Sequence, residues 1–339
     1  MATQNDLAKY AGVSAGTVSN VVSGTTRVSE KTRRKVEEAI QALNYRPNLI
    51  ARSLKTQRTH TIGLVVPDIT IPFFPRLIRA AEAACRERGY FLVVLDSQEN
   101  HELELDMLAL LRQRVDGILL ATSGDGDWTE AVSSQVLSGP PIVCVDRVPG
   151  KLNVDSVCLD DRRAAEMSIS HLVSMGHREI AVITGPLTLK NEQERLRGYQ
   201  HALQMAGIRP KNSLVWNAGF QENEIEAICQ RNLLRSQRPS ALLATNGVTG
   251  LVALKSIYAI GLSVPNDIAF VTFDEIAPDT VFRPQITSVI QPTHEIGFRA
   301  VELLLERILK KEEERPRSRI RLDGALVVRE SSRRYGVSE

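Results

Sequence analysis

The stretch Thr3-Gln4-Asn5-Asp6-Leu7-Ala8-Lys9-Tyr10-Ala11-Gly12-Val13-Ser14-Ala15-Gly16-Thr17-Val18-Ser19-Asn20-Val21-Val22 decides how the first sixty residues are read. Thr3 is a capping residue type, and it predicts a short helix to about Tyr10 with Leu7, Ala8 and Ala11 on its inner face. Gly12 permits the left-handed backbone of a tight turn, and Ser14 can cap the next helix. That second helix, about Ser14 to Val22, puts Val18 and Val21 on one side near Val13. Its other side shows Ala15, Gly16, Thr17, Ser19 and Asn20, a small polar face suited to close approach rather than packing. A third helix is predicted from the Ser29 cap to about Leu43, with the stripe Val36, Ile40, Leu43. Two short helices joined by a tight turn and braced by a third match a helix-turn-helix unit, whose second helix enters the DNA major groove.

Charge points the same way. Residues 1–60 carry a net +6 and the remaining residues −4, so a basic head sits on a mildly acidic body and is expected to meet a polyanion. After Leu43, Pro47 breaks the helix and Asn48 can cap a short one over Leu49–Leu54. So short a helix does not hold itself together in water and needs DNA or a second copy to pack against.

From Thr61 onward short apolar β-rich runs alternate with helical stretches in two series of about a hundred residues. Continuous apolar strands between helices predict an α/β body of two similar lobes with parallel sheets covered on both faces. The four cysteines, Cys85, Cys144, Cys158 and Cys229, lie in or beside apolar runs and read as buried thiols. The N-terminus has no apolar signal core, and no apolar run is long enough to span a bilayer, so a cytoplasmic protein without a membrane partner is expected. There is no Gly-x-Gly-x-x-Gly, phosphate-loop or Gly-x-Ser-x-Gly motif, and the six histidines show no metal spacing. Asp160-Asp161 sits at a helix start, where negative charge is favoured, and Gly124-Asp125-Gly126-Asp127 reads as a turn. No catalysis, cofactor or metal is therefore expected.

Several linked motifs resemble the lactose-repressor/galactose-repressor family of bacterial transcription regulators. They are Asp6-Leu7-Ala8-Lys9-x-Ala11-Gly12-Val13-Ser14-x-x-Thr17-Val18-Ser19, Val28-Ser29-x-x-Thr32-Arg33-x-x-Val36, Leu43-Asn44-Tyr45-x-Pro47-Asn48 and Ala51-Arg52-Ser53-Leu54. In the body they are Ile62-Gly63-Leu64-Val65-Val66-Pro67, Arg114-Val115-Asp116-Gly117-Ile118, His171-Leu172-x-x-x-Gly176-His177-Arg178-x-Ile180 and Gly185-Pro186. The resemblance implies an all-α helix-turn-helix head over 1–46, a hinge helix and linker over 47–60, and a two-lobed type I periplasmic-binding-protein-like core over 61–339. In it one lobe would comprise 61–159 with about 288–318, and the other 160–287 with about 319–339. It also implies a repressor that binds double-stranded operator DNA as a homodimer, under a small-molecule effector. A sugar or sugar acid is the first choice of effector and a purine or nucleoside the second. A solute-binding protein on the same core would need an export signal and no basic head.

The resemblance assigns roles by position. Ala15, Gly16 and Asn20 would face bases, with Asn20 able to pair with adenine. Thr17, Ser19 and Tyr45 would hold phosphates, Asn48 and Arg52 would belong to the hinge contacts, and Leu54 would wedge into a minor-groove step. In open α/β sheets, ligands bind beyond the carboxyl ends of the strands. Residues there include Phe73 and Phe74, Asp146 and Arg147, Asn191 and Arg195, Phe220, Asn246, Asp274 and Gln291. Aromatic rings with planar polar groups suit sugars, and by resemblance these residues are the candidate ligand set. Phe73 could instead pack in the core, and Arg147 could pair with a ligand anion or with Asp146 or Asp160. The sequence departs from the family at Asn246-Gly247, where an Asp ordinarily follows the Asn. The C-terminus carries no heptad repeat, which favours a dimer over a zipper-linked tetramer.

Overall fold

The computed structural model describes residues 2–22, 28–45, 58–124, 128, 130–150, 152–275, 283–309 and 316–333. The chain divides into two compact units, Met1–Thr59 and His60–Glu339. In the first, helices α1 (Gln4–Ala11), α2 (Ala15–Val22) and α3 (Glu30–Ala42) enclose a small core of Leu7, Ala8, Ala11, Val18, Val21, Val36, Ala39 and Tyr45. The expected punctuation is present. Thr3 and Asp6 form a reciprocal capping box, Gly12 adopts φ +64°, and the Thr17 amide donates to Ser14 Oγ at 3.1 Å. Ser29 caps α3, accepting from the Thr32 amide. The hinge residues Asn48, Arg52 and Leu54 lie outside the described residues, as do Asp125–Asp127 and the last six residues.

The second unit holds two six-stranded sheets among the described residues. The first uses β1 (Thr61–Val66), β2 (Phe91–Asp96), β3 (Gly117–Leu120), β4 (Ile142–Val145) and β5 (Asp155–Leu159). Helices α4 (Phe73–Glu87), α5 (His101–Leu111) and α6 (Glu130–Leu137) connect them. The second uses β6 (Ile180–Thr184), β7 (Val215–Asn217), β8 (Ala241–Ala244), β9 (Ala269–Phe273) and β10 (Thr287–Ile290). With them come α7 (Asp161–Ser174), α8 (Lys190–Met205), α9 (Glu222–Leu233) and α10 (Gly247–Ala259). Helix α11 (Thr293–Leu309) and strands β11 (Arg319–Leu322) and β12 (Ala325–Val327) follow. The strand orders are β11-β5-β4-β3-β1-β2 and β12-β10-β9-β8-β6-β7. Every pairing is parallel except β10 with β12. Most of the inner strands are buried along their length, as their unbroken apolar runs require.

Sheet membership corrects the expected lobe division near the C-terminus. Strand 287–290 belongs to the second sheet, where Val289 is buried among Leu243, Val271 and Phe273. Strand 319–322 belongs to the first, beside β5, and 325–327 returns to the second. Helix α11 lies against the first sheet, burying Ile296, Ala300, Leu304 and Ile308 with Ile62, Leu119 and Val143. The chain therefore passes between the lobes at 160, after 290 and after 322. The sequence reading placed no helix at 293–309, although the i, i+4, i+8, i+12 spacing of those four residues carries the signal.

Candidate functional site

On the first unit, α2 presents Ala15, Gly16 and Asn20 as exposed residues and Thr17 and Ser19 as half-buried ones. A methyl group at Gly16 would meet only Ser14 Oγ, at 3.7 Å, so the fold itself does not demand glycine there. Tyr45, expected to hold a phosphate, is buried in the helical core with Val18 and Val21.

In the second unit one cavity of about 380 Å³ lies between the carboxyl ends of the two sheets. It is lined by all ten body residues singled out from the sequence: Phe73, Phe74, Asp146, Arg147, Asn191, Arg195, Phe220, Asn246, Asp274 and Gln291. Phe73 also belongs to the core of the first lobe, edge-on to Phe74 at 5.1 Å, so the packing and lining readings both hold for it.

Arg195 is the best anchored. Its Nε donates to Asp161 Oδ1 at 2.8 Å and its Nη1 to the Thr245 carbonyl at 2.6 Å, and its guanidinium stacks over Phe273. Its Nη2 is buried without a hydrogen-bond partner. The Arg195-x-x-Gly198 spacing has a physical cause. A Cβ at Gly198 would lie 2.2 Å from the Arg162 carbonyl oxygen, so only glycine lets α8 come close enough to α7 for Arg195 to reach Asp161.

For Arg147 the Asp146 pairing expected from the sequence is present but secondary to one with Glu99. Arg147 Nη1 donates to both oxygens of Glu99, at 2.9 and 2.8 Å, while Asp146 stands 3.8 Å from its Nε. Asp160, offered as a partner, instead caps α7. The paired guanidinium lies over Phe220 at 5.2 Å and Phe74 at 5.9 Å. Asn246 caps α10 by accepting from the Thr249 amide at 2.8 Å, and donates to Glu192 at 2.9 Å. Gln291 Nε2 donates to Asp274 Oδ1 at 2.9 Å, leaving Gln291 Oε1 buried and without a partner. Asp146 and Asp274 both sit at positive φ directly after a strand, a backbone that turns their carboxylates into the cleft.

The wall is rich in carboxylates. Burial raises the Asp146 carboxyl, pushes that of Asp274 up to about 6 and that of Asp161 up to about 7, each opposed by the Arg195 charge. Glu192 was missed from the sequence. It is fully buried, accepts from the Gly185 amide at 3.0 Å and from Thr245 Oγ1, and lies 3.6 Å from Arg195. Glu99 and Asp161 were also missed as partners. Their arginines lie 48 and 34 residues away in sequence, and no local spacing joins them.

The comparisons with known proteins agree along the whole length. Residues 3–48 match the family described as bacterial regulatory proteins, lacI family. Residues 59–326 match periplasmic binding proteins and the sugar binding domain of the LacI family. The HTH-type transcriptional repressor PurR of Aliivibrio salmonicida is 33% identical over 318 residues, 93% of this chain and 95% of its own. The ribose operon repressor of Escherichia coli K12 is 33% identical over 309 residues, 91% and 93% of the two chains. Among solved structures, the lac repressor dimer bound to operator and the anti-inducer ONPF aligns with a TM-score of 0.83 at 26% identity, covering 98% of this chain and 99% of that one. No described helix is long and apolar enough to cross a membrane. A helix-turn-helix head and an effector-type cavity in one chain, both matched by the same family, identify a DNA-binding transcriptional regulator rather than an enzyme: the chain belongs to the LacI family.

Proposed function

We propose that the protein is an operator-binding repressor whose grip on DNA is set by a small neutral sugar held in the cavity around Arg195 and Asp274. One observation carries the reading: Arg195 Nη2, a donor, and Gln291 Oε1, an acceptor, are both buried on the cavity wall without a hydrogen-bond partner. Buried polar atoms are nearly always paired, and a hydroxyl can serve as acceptor to one and donor to the other. Phe74 and Phe220 supply the apolar faces that sugar C–H groups stack on. Charge favours the neutral sugar over a sugar acid. The wall carries Asp146, Glu192 and Asp274, while Arg147 and Arg195 are already claimed by Glu99 and Asp161. A purine is the second reading, favoured by Phe74 and Phe220, which both lie against Arg147 and could sandwich a planar base.

The working unit in this proposal is a homodimer on a pseudo-palindromic operator. Strand β2 ends its sheet, with Phe91 63% and Val93 41% exposed, and an edge of that kind calls for cover. The lac repressor solved on its operator is a dimer. Leu54 would act as the minor-groove wedge, so Leu54→Ala should lower specific affinity far more than non-specific affinity. A thermal-shift screen of neutral sugars, sugar acids and nucleobases tests the effector class. A rise in melting temperature with a neutral sugar, absent in Phe220→Ala, is the expected result. A response confined to sugar acids would refute the neutral-sugar assignment, and one confined to nucleobases would select the second reading.

A further inference from the structure

We propose that a second chamber, behind Asp146 and Asn191, binds a phosphate-class dianion that straddles the two lobes. The chamber, open to solvent on the side of β11, spans about 500 Å³ and shares Asp146 and Asn191 with the effector cavity as its dividing wall. Its floor follows from strand register. In the parallel β5–β11 pair, Arg319 lies opposite Ser156 and Arg321 opposite Cys158, and all four residues line the chamber. Two arginines two residues apart on one strand face have Cα atoms about 6.6 Å apart along it, close enough for both side chains to address one tetrahedral anion. Lys190, the first residue of α8, lines the chamber from the other lobe.

The charges are asymmetrically committed. Two acids on the wall are engaged, Asp161 with Arg195 at 2.8 Å and Glu194 with Arg197, while Asp146 stands 3.8 Å from an Arg147 that Glu99 already holds. Among the described residues none of Lys190, Arg319 and Arg321 makes an ion pair; Arg319 and Arg321 are exposed, and Arg321 contacts the Leu159 carbonyl at 3.4 Å and acts on Asp161 through space. Three cations without an ion pair, facing a wall on which Asp161 and Glu194 are each paired with an arginine, leave the chamber able to accept an anion. Arginine's fork matches phosphate oxygens in pairs, while lysine adds a point charge. Because Lys190 belongs to the second lobe and Arg319 and Arg321 to the first, the anion would hold the lobes together. It would thus act on the same lobe closure as the effector, from the opposite side of the Asp146–Asn191 wall. The dianion is either free phosphate or the phosphomonoester of a molecule that also occupies the effector cavity.

The test uses the full-length protein and inorganic phosphate, at constant ionic strength balanced with chloride. Calorimetric titration should show saturable binding, with a matching rise in melting temperature. Arg319→Ala/Arg321→Ala should weaken half-saturation about tenfold or more, in line with the loss of charged hydrogen bonds. Lys190→Ala, on a different element, should weaken it as well, which keeps the test decisive if the double variant folds poorly. Absence of heat and of stabilisation in the wild type would overturn the proposal. So would an equal stabilisation of wild type and variants, which is the general effect of phosphate as an excluded salt. Glucose and glucose 6-phosphate form the second arm. Displacement of phosphate by the sugar phosphate alone assigns the dianion to an effector-borne group, and displacement by neither assigns it to a free ligand. Inorganic phosphate carries no sugar, so its failure to bind would leave the neutral-sugar reading standing.

Discussion

At the scale of single residues, Arg195 shows how structure and recognition share one side chain. It is buried with Asp161, Glu192 and Asp146 around it. Arg195→Met would leave those acids without their cation, and we predict a loss of about 3–5 kcal/mol in urea unfolding. Asp274→Asn is the gentler probe, because an amide oxygen can still accept from Gln291. Burial pushes the Asp274 carboxyl up to about 6 from its ordinary 3.8. A raised folded-state value means that its stabilising contribution is complete below about pH 4 and is lost as the pH rises through about 6. The melting temperature of the unliganded wild type should therefore fall more steeply over this window than that of Asp274→Asn. Effector affinity should move the other way and rise through the same window, because the ionised carboxylate is the better acceptor for hydroxyls. Gly16 supplies a third case. Gly16→Ala makes only an ordinary contact with Ser14 Oγ within the head, so stability should hold while operator affinity falls, as measured by fluorescence anisotropy.

At the scale of elements, what the sequence made legible follows from range. Thr3, Gly12, Ser14 and Ser29 act within a few residues of themselves, and the caps and the left-handed turn stand where their chemistry predicts. The ten cavity residues were legible because strand ends locate a cleft and the family resemblance marks positions within it, neither of which needs knowledge of side-chain partners. Glu99, Asp161 and Glu192 were not, because their meaning depends on helix and loop approach across tens of residues. The C-terminal crossings were assigned to the wrong lobes for a related reason: β10, α11, β11 and β12 alternate between the sheets, and an apolar strand carries no mark of which sheet it joins. The α7–α8 contact offers a test at this scale. Gly198→Ala would force a methyl group against the Arg162 carbonyl. Parting the helices should cost about 1–3 kcal/mol in unfolding and weaken effector binding together with stability.

At the scale of the whole molecule, regulation requires only that the effector favour one arrangement of the lobes, and that this arrangement bear differently on the operator. Coupling of that kind is typically about 1–3 kcal/mol, or roughly 5- to 150-fold in affinity. The head's net +6 predicts that operator affinity falls steeply with salt, through release of counterions from neutralised phosphates. The decisive measurement is an anisotropy titration of the full-length protein on its selected operator, with and without the sugar that stabilises it, for wild type and Asp274→Asn. The prediction is a change of at least about fivefold in wild-type operator affinity on adding the sugar, and a much smaller change in Asp274→Asn, with sugar-free affinities alike. Operator affinity that stays the same with saturating sugar would contradict the account.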